Sequence, residues 1–418
     1  MISAVILWLA IVFAGYMAWN IGANDVANAM GTSVGSGAIS YRQAIFLAGI
    51  FEFAGAVLVG AHVTETIRKG IIDPSAPIFS NQPVLFALGM ASALLAAASW
   101  LNLATYFGLP VSTTHSIVGA VFGFGIVSAF SYIHWSKLTS IVLAWIISPV
   151  TGGIIAFVAF RIIQKLIFSA DSPAQNTLRY GPYFTFLVGM IIGLAVIYKG
   201  LKNLHLHWSL GRALEVSTLA GVVITIFYTL LLHRWRRQKE FSSFEAELDY
   251  VEGSFRYLQV ATACYVAFAH GANDVANAVG PLAGVYACWK GEETYAVKAV
   301  VPIWMLLLGG VGIVLGLATW GRRVIETIGR KITHITPTRG FCAEFGAATT
   351  ILLCSRLGLP VSTTQVLVGS VIGVGLARGV DTLEIRTISK VISNWLLEIP
   401  LTAFLTIVFY LVLKAIFT

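Results

Sequence analysis

The octapeptide Gly22-Ala-Asn-Asp-Val-Ala-Asn-Ala29 occurs twice without a change, the second time as Gly271-Ala-Asn-Asp-Val-Ala-Asn-Ala278. Eight identical residues, 249 positions apart in a chain of 418, do not arise by chance, so the fold is built from two copies of one unit. A second echo agrees. Gly108-Leu-Pro-Val-Ser-Thr-Thr-His115 returns as Gly358-Leu-Pro-Val-Ser-Thr-Thr-Gln365, and Trp145 as Trp395, both at a spacing of 250. The units expected are residues 1–168 and 254–418, joined by linking transmembrane segments and a short cytoplasmic loop in 169–253.

The contents of the octapeptide constrain the chain as much as its recurrence. Each copy sets one Asp and two Asn in a run otherwise of Gly, Ala and Val. The whole chain is 57% hydrophobic and 11% charged, whereas a soluble domain carries roughly 25% charged residues. Such a chain belongs in a bilayer. Its apolar runs of about 20 residues are continuous rather than alternating, so they span as helices and not as barrel strands. The expected fold class is an all-α polytopic membrane protein of about 12 hydrophobic segments, with two inverted repeats and broken helices or re-entrant hairpins. The segments lie near 2–30, 42–64, 84–107, 110–130, 138–168, 181–200, 213–232, 254–288, 296–320, 338–356, 361–378 and 388–416. The net charge of +8 then reports loop orientation and not a nucleic-acid partner. Cys264, Cys288, Cys342 and Cys354 show no metal or redox spacing and read as small apolar residues. The apolar N-terminus has no basic lead, which predicts an uncleaved first helix.

The two motif-bearing segments are too long and too polar in the middle for plain spans. Gly31 and Gly35 after one motif, and Gly280-Pro281 after the other, predict helices that break at membrane depth. The basic run His233-Arg-Trp-Arg-Arg-Gln-Lys239 marks the cytoplasmic side. If every segment crosses, an odd number of crossings separates the motifs, the repeats are inverted and both termini lie outside. Re-entry of 110–130 and 361–378 changes that parity unless another segment breaks too. Ser148-Pro-Val-Thr-Gly-Gly153, within 138–168, is the candidate for that break. The loop 233–256, basic and then acidic, reads as a cytoplasmic connector, and no separate soluble domain is expected.

Carboxylates and amides inside a membrane are costly and mark function. Asp25 and Asp274 are hard oxygen donors suited to Na⁺ or a proton, and Glu52 and Glu344, each inside an apolar segment, join them as coupling-cation residues. These two Glu do not share the 250 spacing, so the site is pseudo-symmetric without being symmetric in charge. Asn24, Asn28, Asn273 and Asn277 offer carbonyls to a cation and N–H donors to an anion. The blander alternative is that Asp caps a half-helix and Asn holds helices together. At Gly-Leu-Pro the chain breaks, and Pro restarts it as an early helical residue. Ser112, Thr113 and Thr114, with Ser362, Thr363 and Thr364, then stand on first turns with free backbone N–H groups, an anion site that needs no Lys or Arg. Plain N-capping is the alternative and is compatible with it. His270 precedes the second motif where Ile21 precedes the first, as a proton carrier or as a packing residue. Trp8, Trp19, Trp135 and Trp145 read as interface or packing residues.

The doubled Gly-Ala-Asn-Asp-Val-Ala-Asn-Ala with the doubled Pro-Val-Ser-Thr-Thr resembles the inorganic phosphate transporter (PiT) family of cation–phosphate symporters, over essentially the whole chain. The resemblance implies inverted repeats, termini outside, a phosphate site between the motif copies and a homodimer. It also implies importance for the acids matching Asp25, Glu52, Asp274 and Glu344, and a place at the substrate for the serines matching Ser112 and Ser362. The chain departs from larger members in its short central loop, so regulation attached to long loops is not expected. No His precedes its first motif, which leaves that half without a His-based proton relay.

The expected function is import of inorganic phosphate by secondary active symport with Na⁺, or else H⁺, through alternating access at a midplane site. The expected place is the cytoplasmic (inner) membrane, multi-pass, with lipid around it and no cofactor beyond the co-transported ion. A sulfate symporter on the same scaffold is the nearest rival. Sulfate is also tetrahedral, and a carboxylate acceptor beside the anion would favour phosphate, which has a proton to donate. An intramembrane aspartyl protease would need two Asp sharing a proton at close range, and it leaves Pro-Val-Ser-Thr-Thr without a role. A channel would not need two motif copies that close around a substrate. No Gly-x-x-x-x-Gly-Lys-[Ser/Thr] loop occurs, so ATP is not the energy source and an enzyme is not expected.

Overall fold

The computed structural model describes residues 3–60, 71–197, 209–237, 241–291, 301–356 and 361–418. Their regular structure is helical, apart from one isolated β-bridge. The first unit comprises α1 (Ala4–Gly35), α2 (Tyr41–Val59), the short α3 (Pro77–Asn81), α4 (Pro83–Tyr106), α5 (Thr113–Ser128) and α6 (Trp135–Ile163). Helices α7 (Pro173–Ala195) and α8 (Leu210–Arg237) follow as a linking pair. The second unit comprises α9 (Phe244–Lys290), α10 (Ile303–Trp320), the short α11 (Arg322–Glu326), α12 (Pro337–Arg356), α13 (Thr363–Arg378) and α14 (Ile385–Phe417).

Each hydrophobic segment read from the sequence forms a helix within the described residues, but not each is long enough for a span. Among the described residues, eight helices are long and apolar enough to cross a membrane, α4 among them and the longer, more polar α9 not. Helices α5 and α13, the segments 110–130 and 361–378, have 16 residues each. That is about 24 Å at 1.5 Å per residue, short of a hydrocarbon core of about 30 Å.

A second expectation is corrected just past the octapeptides, at Gly31 and at Gly280-Pro281. Helix α1 runs 32 residues and α9 runs 47 residues, each straight through its motif, so neither breaks there. The motif glycines serve close approach instead. A Cβ on Gly22 would lie 1.8 Å from the Ile313 carbonyl oxygen, and one on Gly271 2.1 Å from that of Glu52. Small residues allow membrane helices to meet at the backbone, and α9 carries Pro281 without ending. The chain breaks at the other motif, where Gly108 takes φ +67° between α4 and α5. The matching Gly358-Leu-Pro360 lies outside the described residues.

Two helical hairpins result, α4–α5 and α12–α13, and each is tied at its open end. In the first, the Asp73 N–H donates to the Tyr132 carbonyl (3.0 Å) and the His134 N–H to that of Ile71 (2.9 Å). In the second, the Glu384 N–H donates to the Ile332 carbonyl and the Thr333 hydroxyl to that of Thr382, both at 3.0 Å. Their tips meet, for the Thr364 hydroxyl donates to the Val111 carbonyl (3.0 Å).

The acidic half of the expected 233–256 connector is instead the start of α9, which gathers four other helix ends. Glu247 accepts from the Ala174 N–H at the head of α7 (2.9 Å), and Glu252 from the Thr338 N–H at the head of α12 (2.8 Å). Tyr250 donates to the Leu232 carbonyl in the last turns of α8 (3.2 Å), and Arg256 to the Ala38 carbonyl just past α1 (2.5 Å). The bonds to Ala174, Thr338 and Ala38 satisfy polar groups that a helix start or turn leaves over. Buried apolar side chains form two clusters, one around Phe79, Phe86 and Phe124 and one around Phe255 and Phe341. Helix α1 gives Ile21 to the first and Val26 to the second; α9 gives Val275 to the first and Val266 to the second. The polar motif residues therefore sit where the two clusters meet.

Candidate functional site

Asn24, Asp25, Asn28, Asp274 and Asn277 are each 1% exposed, and Glu52 and His270 are fully buried. Buried polar groups at this density persist only if they are mutually satisfied or hold a ligand. The hairpin tips supply the first partners. Ser112 and Ser362 are the N-caps of α5 and α13, accepting from the N–H of His115 (3.2 Å) and Gln365 (3.3 Å). Pro110, expected as an early helical residue, stands outside α5, and the serines do the capping; Pro360 lies outside the described residues.

From there the contacts cross between the units. The Thr113 hydroxyl donates to Asp25 Oδ2 at 2.8 Å, and Thr363 to Asp274 Oδ2 at 3.3 Å, so each Asp is held by the hairpin of its own unit. Asn28 Nδ2 donates to Thr364 Oγ1 at 2.7 Å, while Asn277 Nδ2 donates to Thr113 Oγ1 at 3.0 Å and Thr114 Oγ1 at 3.5 Å. Each Asn thus reaches the hairpin of the other unit. Asn28 and Asn277 are equivalent in the repeat, as are Thr114 and Thr364, so the pattern maps onto itself when the units are exchanged.

The remaining motif amides do not follow that symmetry. Asn24 Nδ2 donates to Thr105 Oγ1 (2.9 Å) and the Leu109 carbonyl (3.0 Å), and its Oδ1 accepts the Val111 N–H (3.1 Å). Its amide braces the Gly-Leu-Pro turn. Its counterpart Asn273 donates to the adjacent Asp274 Oδ1 at 2.8 Å.

His270 stands at the centre. Its Nδ1 lies 3.0 Å from Glu52 Oε1, and its Nε2 lies 2.8 Å from Asp274 Oδ2 and 3.6 Å from Asp25 Oδ2. Glu52 reaches it because Gly271 lets α2 and α9 touch at the backbone. Asp25, His270 and Asp274 bring ligand atoms within 4.8 Å of one another. Two carboxylate charges at that range repel by about 3.5 kcal/mol at an effective dielectric near 20. One imidazole among three carboxyl groups leaves the cluster rich in oxygen donors, a set suited to a cation. Asp25 Oδ1 and Asn28 Oδ1, both buried, take no hydrogen bond among the described residues. These are hard oxygen donors of the kind Na⁺ accepts.

Glu344, grouped with these acids on sequence, lies elsewhere. It accepts from Thr32 (2.6 Å), Ser33 (2.9 Å) and Thr262 (2.5 Å). Thr32 is about 10 Å along α1 from Asp25 at helical rise. One buried carboxylate escaped the sequence reading, Glu398 on α14, which accepts from the Ser116 hydroxyl at 2.6 Å and the Ser112 N–H at 3.3 Å. The signal was present, since Glu398 is a charge inside an apolar segment, the same mark that singled out Glu52 and Glu344.

With this geometry in view, comparison with known proteins is specific. The phosphate transporter family matches residues 21–406. A protein of Haemophilus influenzae is 43% identical over 415 residues, 99% of this chain and 97% of its own. The chloroplastic inorganic phosphate transporter 2-1 of Arabidopsis thaliana is 41% identical over 96% of this chain and 71% of its own. A solved structure described as the sodium-dependent phosphate transporter superposes with a TM-score of 0.88 at 41% identity, covering 99% of this chain and all of that one.

Proposed function

The chain belongs to the phosphate transporter family, and from that premise we propose that it imports inorganic phosphate on a sodium gradient by alternating access. It is a transporter and not an enzyme. The observation that carries the mechanism is the exchange of Asn contacts between units, which joins both hairpin tips across the two Asp residues. Asp25, Asp274 and Glu52, with the free oxygens of Asp25 and Asn28, hold the coupling cation. That cation offsets the carboxylates, so an anion binds beside them. The first-turn amides of Thr113, Thr114, Thr363 and Thr364, the hydroxyls of Ser112 and Ser362, and Asn28 and Asn277 receive phosphate oxygens. Asn24 and Asn273 position the loop and Asp274. Glu344 acts through Thr32 and Ser33 of α1, apart from that ion.

The tied hairpins support re-entry of α4–α5 and α12–α13 from opposite faces. With α1, α2, α6, α7, α8, α9, α10 and α14 crossing, an odd number of crossings still separates the motifs. The units 1–168 and 254–418 are then inverted repeats, and both termini lie outside. Arg161, Arg322, Arg323 and the basic end of α8 fall on the cytoplasmic face together, as the positive-inside tendency requires. The assembly proposed is the homodimer that the family resemblance implies. The test is radiolabelled phosphate uptake into proteoliposomes under an inward Na⁺ or an inward proton gradient. Uptake driven by Na⁺ and abolished by Asp274→Asn is expected. Uptake driven only by protons overturns the sodium assignment, and none under either gradient overturns phosphate.

A further inference from the structure

Glu398 is fully buried, and its carboxylate occupies a place where an anion site has no evident use for one. Its Oε2 accepts the N–H of Ser112, the N-cap of α5. The neighbouring amides are committed as well, Val111 to Asn24 and His115 to the Ser112 hydroxyl. That leaves Thr113 and Thr114, whose N–H groups a helix start provides with no intrahelical acceptor. A carboxylate and the two anion-binding amides therefore share one turn. The second hairpin is different. The residue 250 positions before Glu398 is Ser148, neutral and buried, with an Oγ that makes no hydrogen bond among the described residues.

A carboxylate beside a bound oxyanion sets lone pair against lone pair unless the anion has a proton to share. Phosphate keeps at least one proton at neutral pH, and sulfate keeps none. We infer that Glu398 is the specificity residue of this transporter, accepting a hydrogen bond from a phosphate hydroxyl and thereby refusing sulfate. The inference rests on the phosphate-transport reading above. A site built to pair with a substrate hydroxyl rejects the analogue lacking it far more strongly than shape alone does. The asymmetry between the hairpins follows, since one acceptor is enough.

The experiment measures binding of radiolabelled phosphate to purified wild type, Glu398→Gln and Glu398→Asp in sodium buffer, with unlabelled sulfate as competitor and size exclusion as the folding control. Excess sulfate leaves wild-type binding untouched. Ser112 donates to Oε2 and Ser116 to Oε1, so Glu398→Gln keeps an acceptor oxygen for one of them and sets an N–H donor in place of the other oxygen. Phosphate then weakens and sulfate competes, changing the preference by about a hundredfold. A carboxylate that only caps α5 would leave that preference unchanged, and equal exclusion of sulfate by wild type and Glu398→Gln overturns the inference. Glu398→Asp withdraws the acceptor by one methylene, so it binds phosphate more weakly while still excluding sulfate. Unchanged phosphate affinity in that variant overturns the inference even if the Gln variant fails to fold. Failure of wild type to bind phosphate would instead remove the transport reading, and this one with it.

Discussion

At the scale of single residues, Asn28 reaches one hydroxyl of the opposite hairpin and Asn277 two, and their removal is expected to act on the transported ions more than on the fold. Asn28→Ala leaves Thr364 still bonded to the Val111 carbonyl, so the hairpin keeps its place. One neutral hydrogen bond is worth roughly 1 kcal/mol net, so phosphate KM should rise about five- to tenfold with little change in melting temperature. Uptake kinetics beside a thermal melt check this, and a large drop in melting temperature at unchanged KM would contradict it. Asn24→Ala should do the reverse. It removes three hydrogen bonds from a buried turn and strands the Val111 N–H, a loss of about 1–3 kcal/mol in stability. The residue types at the site were legible in the sequence because an Asp and two Asn inside an apolar run stand out without any structure. What each one touches was not. Partners such as Glu52 and His270 are 218 residues apart, and no local pattern encodes such a pairing. Glu398 differs, for it bears the mark that singled out Glu52 and Glu344, a charge inside an apolar segment, and it was overlooked all the same.

At the scale of elements, glycine was misread. Gly31 and Gly35 after one motif, and Gly280-Pro281 after the other, predict breaks at membrane depth, yet α1 runs through Gly31 to Gly35 and α9 runs on past Pro281. Here Gly22 and Gly271 are surfaces, flat places where Ile313 and Glu52 lay their backbones against α1 and α9. The true break at Gly-Leu-Pro was read correctly, because Pro removes a donor and Gly108 needs a left-handed φ. Gly271→Ala is therefore expected to abolish uptake by pushing α2 away and withdrawing Glu52 from His270, while Gly291→Ala, with open space at its Cβ, costs only the strain of its φ of +69°. Expression level and uptake measured in parallel distinguish the two. The acidic start of α9 makes a second element-level expectation. Glu252→Ala removes the cap of α12, which should lower stability by about 0.5–2 kcal/mol in a thermal melt and leave ion selectivity unchanged.

At the scale of the whole molecule, the hairpin ties and the gathering of helix ends by α9 separate two faces. A cysteine at Ser75, beside the tied end of the first hairpin, should react with an impermeant maleimide applied outside intact cells. One at Ser243, at the head of α9, should react only after the membrane is opened. Labelling in the opposite sense would reverse the proposed orientation. Among the native thiols, Cys288, Cys342 and Cys354 are buried and Cys264 partly so, which keeps the background low. The exchange of Asn contacts has a bearing on what one unit can do alone. Because Asn28 finds its hydroxyl in the later half and Asn277 in the earlier one, neither half contains a finished site. A chain carrying one copy of the unit could complete these contacts only by lying against a second copy of itself. Held in one chain, the two copies need not be identical, and an acid at position 398 stands where the other copy has a serine at 148.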